Sequence, residues 1–309
     1  MKLTNLTGIP ETFENVLARP TYSKGKSNMS ITELMNSPRV VQLKRKHWDD
    51  LTEDVADLVW SIFGTAIHGV LEHGKGDNHV VEERIHVEVD GMHISGAIDL
   101  QEITSNGIIL SDYKTTSAWA VMNEKQDWHN QLNSYAYLVE RAKLTPVIKL
   151  QIVAIVRDWN RRDAATREGY PKAPIVVIDI PLWSYEYRDA YIRGRISLHN
   201  DAFFDIEVGS DVAECTPEEM WERPTFYALK KEGNVRAKSV HETPEAADQA
   251  LALATEKAKK GEKFIVEIRP GDRVRCSNFC QVAEFCDQHK KYLSTKEKTD
   301  GIPSGSSDA

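Results

Sequence analysis

Apolar side chains recur at helical spacing between positions 55 and 71. Val55, Leu58, Val59, Ile62, Phe63, Ala66, Ile67, Val70 and Leu71 cover most of a helix circumference. Thr52 suits an N-cap, Glu53 and Asp54 suit a first turn and Gly74 a stop, so the pattern predicts a core helix over 52–74. Its narrow polar strip holds Asp57, Ser61, Gly64, Thr65, His68 and Glu72, with His68 and Glu72 one turn apart. Downstream the period changes to two. Val81, Ile85, Val87 and Val89 alternate with Glu82, Arg84, His86 and Glu88, which predicts a strand over 81–89. Turn signals at Asp90-Gly91 and Asn106-Gly107 separate it from strands over 92–101 and 108–115.

The remaining pattern predicts a helix over 124–143 and an apolar strand over 147–157. A basic loop with Arg157, Arg161, Arg162 and Arg167 follows, then a strand over 175–180 and a helix over 184–205. The first thirty residues, with Pro10 and Pro20, read as an irregular arm before a short helix near 31–36 and a basic run at Lys44, Arg45 and Lys46. Beyond Gly209 a smaller C-terminal region contains a helix near 245–260. The order predicts an α/β fold, a mixed sheet flanked by helices. The expected divisions are an arm and helix over 1–50, a core over 51–208, a cysteine-bearing region over 209–292 and a disordered polar tail over 293–309.

Composition narrows the class. Of 309 residues, 41% are hydrophobic and 28% charged, which fits a folded globular chain and excludes collagen-like or wholly disordered ones. No apolar run reaches membrane-spanning length and the start lacks a secretory h-region, so no membrane association and a cytoplasmic location are expected. The net charge of −8 argues against a non-specific polycation. Local patches can still grip phosphates, and Lys44 to Lys46 with Arg157, Arg161 and Arg162 are the candidates.

The hairpin turns also carry chemistry. If Asn106-Gly107 is a two-residue loop, Asp99 lies opposite Lys114 and Gln101 opposite Asp112, so Asp99, Asp112 and Lys114 share one face. Two carboxylates and an ammonium at close quarters suit phosphodiester hydrolysis: carboxylates hold Mg²⁺ or Mn²⁺, and lysine supports the attacking water or the developing charge. A D-x-K triplet alone is expected about once by chance in such a length, so its neighbours decide its weight.

Those neighbours are GTAIHGVLE at 64–72, GAIDL at 96–100, SDYKTTS at 111–117 and QLNSYAYL at 131–138. In this order they resemble the motifs of RecB/Cas4-like nucleases of the PD-(D/E)XK superfamily. RDWNRR, CTPEEMW and CSNFCQVAEFC further along are similar to a bacteriophage-type Cas4-like exonuclease branch. The resemblance implies a restriction-endonuclease-like fold and a metal-dependent DNA exonuclease of recombination, repair or processing. Its partners would be DNA and a helicase or recombination protein, in the bacterial host cytoplasm if phage-encoded. It further implies that His68, Asp99, Asp112 and the carbonyl of Tyr113 ligate Mg²⁺ or Mn²⁺. Asp99, Asp112 and Lys114 would be catalytic, with Gln131 and Tyr135 positioning water, lysine or the strand. Ile98 stands where the family has proline. Taken singly, His68 also reads as a packing histidine and Gln131 with Tyr135 as a helix-surface pair; Glu72 is a candidate without a role. A catalytically idle DNA-binding subunit of a helicase–nuclease or Cas-type assembly is the alternative function.

Cys276, Cys280 and Cys286 crowd into eleven residues, with Cys215 the only other cysteine. Four thiolates suit one tetrahedral metal or one cubane. The resemblance implies a [4Fe-4S] cluster that staples the C-terminal region; zinc and unligated buried cysteines are the alternatives, and His289 or Asp287 could replace Cys215 as fourth ligand.

Overall fold

The computed structural model describes residues 1–18, 23–123, 125–259 and 261–300, with side chains as far as 296. The expected irregular arm contains regular elements: strand β1 (Lys2–Thr4), helix α1 (Glu11–Leu17) and strand β2 (Met29–Ser30). Helix α2 (Ile31–Met35) starts at a reciprocal cap, in which the Ser30 hydroxyl accepts the Glu33 N–H and the Glu33 carboxylate accepts the Ser30 N–H. Helix α3 (Pro38–Lys46) opens on proline and ends on Lys44, Arg45 and Lys46, where cations complement the helix dipole.

The helix expected over 52–74 is shorter and differently placed. Thr52–Asp54 is strand β3, paired in parallel with β1. The Asp54 carboxylate accepts the N–H groups of Leu6 and Ala56 and the Thr4 hydroxyl, so these residues turn the chain where a cap was expected. Helix α4 runs over Val59–Glu72, and it is not a core helix. None of its residues is buried, and Trp60, Phe63 and Val70 are 54%, 40% and 68% exposed.

Next come strands β4 (His79–Val89), β5 (Met92–Thr104) and β6 (Gly107–Thr116), helices α5 (Ala118–Met122) and α6 (Gln126–Lys143), and strand β7 (Val147–Val156). The basic loop contains helix α7 (Arg161–Thr166), and strand β8 (Ile175–Ile180) and helix α8 (Tyr185–Glu207) complete the first unit. One six-stranded sheet has the order β2-β5-β6-β7-β8, with β4 also paired to β5. Only β2–β5 and β6–β7 are parallel, α5 and α6 forming the crossover between β6 and β7. The mixed sheet flanked by helices agrees with the expected fold class.

The β5–β6 hairpin differs from its expected register. Thr104 pairs with Gly107, so the loop is Ser105-Asn106, and Leu100 lies opposite Ser111. Gly107 adopts φ +144°, and a Cβ there would stand 2.5 Å from the Pro146 oxygen, so glycine begins the strand instead of forming the turn. Moving a loop by one residue moves each partner by two. Asp99 therefore keeps its face, but continuing the register places it level with Asp112, not Lys114.

The core lies between sheet and helices, where Ile94, Ile98, Leu110, Leu150 and Ile152 meet Leu34, Leu132, Leu138 and Ile192. A Cβ at Gly96 would stand 2.7 Å from Tyr135 Cε1 and 3.0 Å from Leu138 Cδ1, so the missing side chain lets α6 seat closely on β5.

A second compact unit starts at Glu214. It contains α9 (Pro217–Met220), β9 (Phe226–Lys231), β10 (Ser239–His241), α10 (Pro244–Glu256), β11 (Phe264–Arg269), α11 (Val274–Asn278) and α12 (Asp287–Asp300). Its antiparallel sheet, β10-β9-β11, is absent from the sequence expectation. The segment expected as a disordered tail from 293 is helical as far as Asp300, and 301–309 lie outside the described residues. Among the described residues no helix is long and apolar enough to cross a membrane.

Candidate active site

The turn at Asp90-Gly91 pairs Val89 with Met92, and the same register brings Glu82 level with Asp99. The ladder continues through Val81–Leu100 and Glu83–Ile98 but omits the rung between them. There Glu82 has φ +50°, a left-handed conformation that costs a non-glycine residue about 1–2 kcal/mol. Its carboxylate meets His68 of α4, with His68 Nδ1 3.1 Å from Glu82 Oε1 and 3.6 Å from Asp99 Oδ1. Ligand atoms of His68, Glu82 and Asp99 all lie within 4.8 Å of one another.

The other imidazole nitrogen of His68, Nε2, is 3.2 Å from the Tyr113 carbonyl oxygen. Both ring nitrogens face acceptors, so satisfying both requires two N–H donors and therefore an imidazolium. The hydrogen bond to Glu82, helped by the charge of Asp99 and opposed by burial, holds the His68 pKa well above the ordinary histidine range. Burial and then the neighbouring charge of Asp112 push Asp99 up to about 7, although it accepts the Tyr113 N–H at 2.7 Å.

Asp112 is 2% exposed. Lys114 Nζ stands 2.6 Å from its Oδ2 as an ion pair outside hydrogen-bond angles, so that buried oxygen lacks a hydrogen bond. Gln131 Nε2 reaches Asp112 Oδ1 at 3.2 Å and the Tyr135 hydroxyl oxygen at 2.8 Å. The i,i+4 spacing on α6 thus places Gln131 and Tyr135 at the carboxylates, and the Gly96 gap admits the Tyr135 ring.

His68, Asp99, Asp112, Tyr113, Lys114, Gln131 and Tyr135 are therefore gathered together, and Glu82 joins them. Glu72 is exposed on α4 and is not in the group of clustered ligand atoms. Glu82 was missed because it read as one polar member of an alternating strand. Register counting from Asp90-Gly91, as applied to the second hairpin, places it opposite Asp99. The donors fit a hard divalent cation: carboxylates, a carbonyl and an imidazole converge, two acids repel one another, and a buried carboxylate oxygen has no hydrogen bond. Ligation by His68 would require it to release a proton.

The four cysteines belong to the second unit and form no disulfide. Cys276, Cys280 and Cys286 are close enough for their thiolates to repel: burial first, then this repulsion, raises the pKa of Cys276, and burial dominates at Cys280. Cys215 is held beside the same segment by Gln288, whose side-chain amide accepts the Cys215 N–H and donates to its carbonyl, each at 2.9 Å. His289 is buried, and its Nδ1 has no hydrogen bond. This sulfur-rich donor set fits a soft metal centre.

The fold and the carboxylate–lysine cluster define a nuclease class. Residues 72–287 match the family model described as PD-(D/E)XK nuclease superfamily, and the chain belongs to that superfamily. A solved structure described as "Crystal structure of SSO0001" is similar at 20% identity over 64% of this chain and 88% of that one, with a TM-score of 0.40. No curated protein matches the chain.

Proposed function

We propose that this superfamily member is a Mg²⁺- or Mn²⁺-dependent DNA exonuclease acting in recombination, repair or processing. The observation that supports a hydrolytic site most is the meeting of Asp99, Asp112 and Lys114 with His68 and Glu82. The finer exonuclease reading rests on the resemblance to RecB/Cas4-like and bacteriophage-type enzymes, which also suggests a helicase or recombination partner and a bacterial cytoplasmic setting.

His68, Glu82, Asp99, Asp112 and the Tyr113 carbonyl would hold the cation, which supplies polarisation of the scissile phosphate and acidification of water. Lys114, which forms an ion pair with Asp112, would hold the attacking water or the charge growing on the phosphoryl oxygens. Gln131 fixes the orientation of the Asp112 carboxylate while donating to Tyr135. These residues would belong to a nuclease core over 51–208. Over 209–292, Cys276, Cys280, Cys286 and Cys215 would hold a structural [4Fe-4S] cluster, with zinc as the competitor; the Gln288 clamp on Cys215 supports Cys215 over His289 or Asp287 as fourth ligand.

The test is release of nucleotides from end-labelled DNA by anaerobically purified protein, with and without Mg²⁺ or Mn²⁺. Metal-dependent mononucleotide release is expected. DNA binding without cleavage under any divalent metal would leave an idle scaffold. The same preparation should carry about four iron and four sulfide per chain for a full cubane; a stoichiometric zinc content would replace the cluster without touching the nuclease reading.

A further inference from the structure

Helix α4 carries His68 into the site and presents an apolar stripe to solvent. Trp60 and Phe63 meet edge to face at 6.3 Å, and exposed Ala66 and Val70 continue the stripe at helical spacing. Exposed apolar surface of this kind marks a binding face. A cation lies on it. The Arg157 guanidinium lies 4.2 Å from the Trp60 ring centroid and forms no ion pair among the described residues. The Arg157 N–H binds the Thr116 carbonyl and the Ala118 N–H binds Asp158, which ties the start of α5, with its 62% exposed Trp119, to the same loop.

Trp60 shares an i,i+4 row of α4 with Gly64 and His68, whose imidazole enters the carboxylate site. Trp60 lies about 12 Å along α4 from His68 at the helical rise. Between them, a Cβ at Gly64 would contact Thr115 Oγ1 at 3.6 Å, next to Lys114. Exposed aromatic rings beside a guanidinium group that forms no ion pair suit a ligand with flat rings on an anionic backbone. A duplex hides its base faces in the stack, whereas a single strand offers them. A protein partner would have to bring a carboxylate to neutralise the arginine that it desolvated.

We infer that Trp60 and Phe63, with Arg157 beside them, form a stacking platform for unpaired bases of single-stranded DNA leading into the carboxylate site. The inference names the substrate form for the proposed nuclease and rests on that reading for its choice of DNA. Its test is therefore made without hydrolysis. Fluorescence anisotropy in EDTA compares a labelled oligothymidylate of about 20 nucleotides with a blunt duplex of equal length. The double variant Trp60→Leu/Phe63→Leu should lose about tenfold or more affinity for the single strand and less than about threefold for the duplex. Trp60→Phe, which keeps a stacking ring, should retain single-strand binding. A second readout needs no leucine variant: oligothymidylate should quench wild-type tryptophan fluorescence more than that of Trp60→Phe.

Equal losses for both DNAs, no loss, or equal quenching would overturn the platform. So would sedimentation showing a wild-type dimer that the leucine variant converts to monomer, because the face would then be a protein interface. Single-strand binding with this pattern but no nucleotide release in Mn²⁺ would sink the nuclease reading and leave the platform standing. Nucleotide release with unchanged binding would do the reverse.

Discussion

Helices α4 and α6 both deliver side chains to the carboxylate cluster, yet their burial inverts what their sequences suggest. The α6 sequence, QDWHNQLNSYAYLVERAK, is largely polar, but Leu132 to Val139 form a continuous buried run along it. The α4 sequence, VWSIFGTAIHGVLE, is largely apolar, yet none of its residues is fully buried. The difference lies in what each helix crosses. Helix α6 packs across the sheet face, against strands from β4 to β8, where even its polar groups find partners: Asn133 donates to the carbonyls of His129 and Pro181 and accepts the Trp183 N–H. Helix α4 meets the sheet mainly at β6 and leaves its outer face uncovered. Apolar content reports what a helix can bury, and topology decides what it does bury.

The largest contrast should appear in stability. Leu138→Ala in α6 should destabilise the chain by about 2–5 kcal/mol by leaving a cavity, read from chemical denaturation; a loss near zero would mean α6 is not seated on the sheet. Gly96→Ala should cost about 1–3 kcal/mol by forcing a methyl group into the Tyr135 ring. It should also lower any DNA cleavage, since Tyr135 receives the Gln131 hydrogen bond. Unchanged denaturation and activity would show that α6 can shift freely.

A smaller effect depends on pH. Burial pushes His199 of α8 down to about 4, helped by the nearby charges of Arg195 and Arg45, while its Nε2 binds the Leu34 carbonyl. The folded state favours the neutral ring, so this contribution is full above the ordinary histidine pKa near 6.5 and is lost as pH falls from there towards 4. Over that interval the wild type should lose stability relative to His199→Gln. Parallel pH profiles would refute it. Smallest of all, Val70→Ala on α4 should shift stability by less than about 0.5 kcal/mol, and a loss comparable to Leu138→Ala would mean that α4 is covered after all.

Much of the site was legible because its chemistry is carried by short ordered motifs. Asp99, Asp112, Lys114, Gln131, Tyr135 and His68 stand out as residue types, and their convergence survives the hairpin's displaced loop because the displacement preserves side-chain parity. Glu82 was hidden because its participation depends on a left-handed backbone inside an otherwise regular strand. The polar residues Thr52 to Asp54 read as a helix start, since nothing local reveals their partner strand at Lys2–Thr4. The C-terminal sheet escaped for a similar reason: its strands are short, and β9 and β11 are joined through a helix and a third strand. The exposure of α4 was the least legible feature, because it depends on the sheet's reach and not on the helix itself.

The central claim is that the acidic cluster is a divalent-cation site made by four acidic or imidazole side chains and one carbonyl. The direct measurement is a calorimetric Mn²⁺ titration of the wild type and of Asp99→Asn, with folding checked by circular dichroism. Saturable Mn²⁺ binding in the wild type, weakened by about tenfold or more in Asp99→Asn, is expected from the loss of a buried carboxylate ligand. Absence of saturable binding, or equal binding by both proteins, would contradict it.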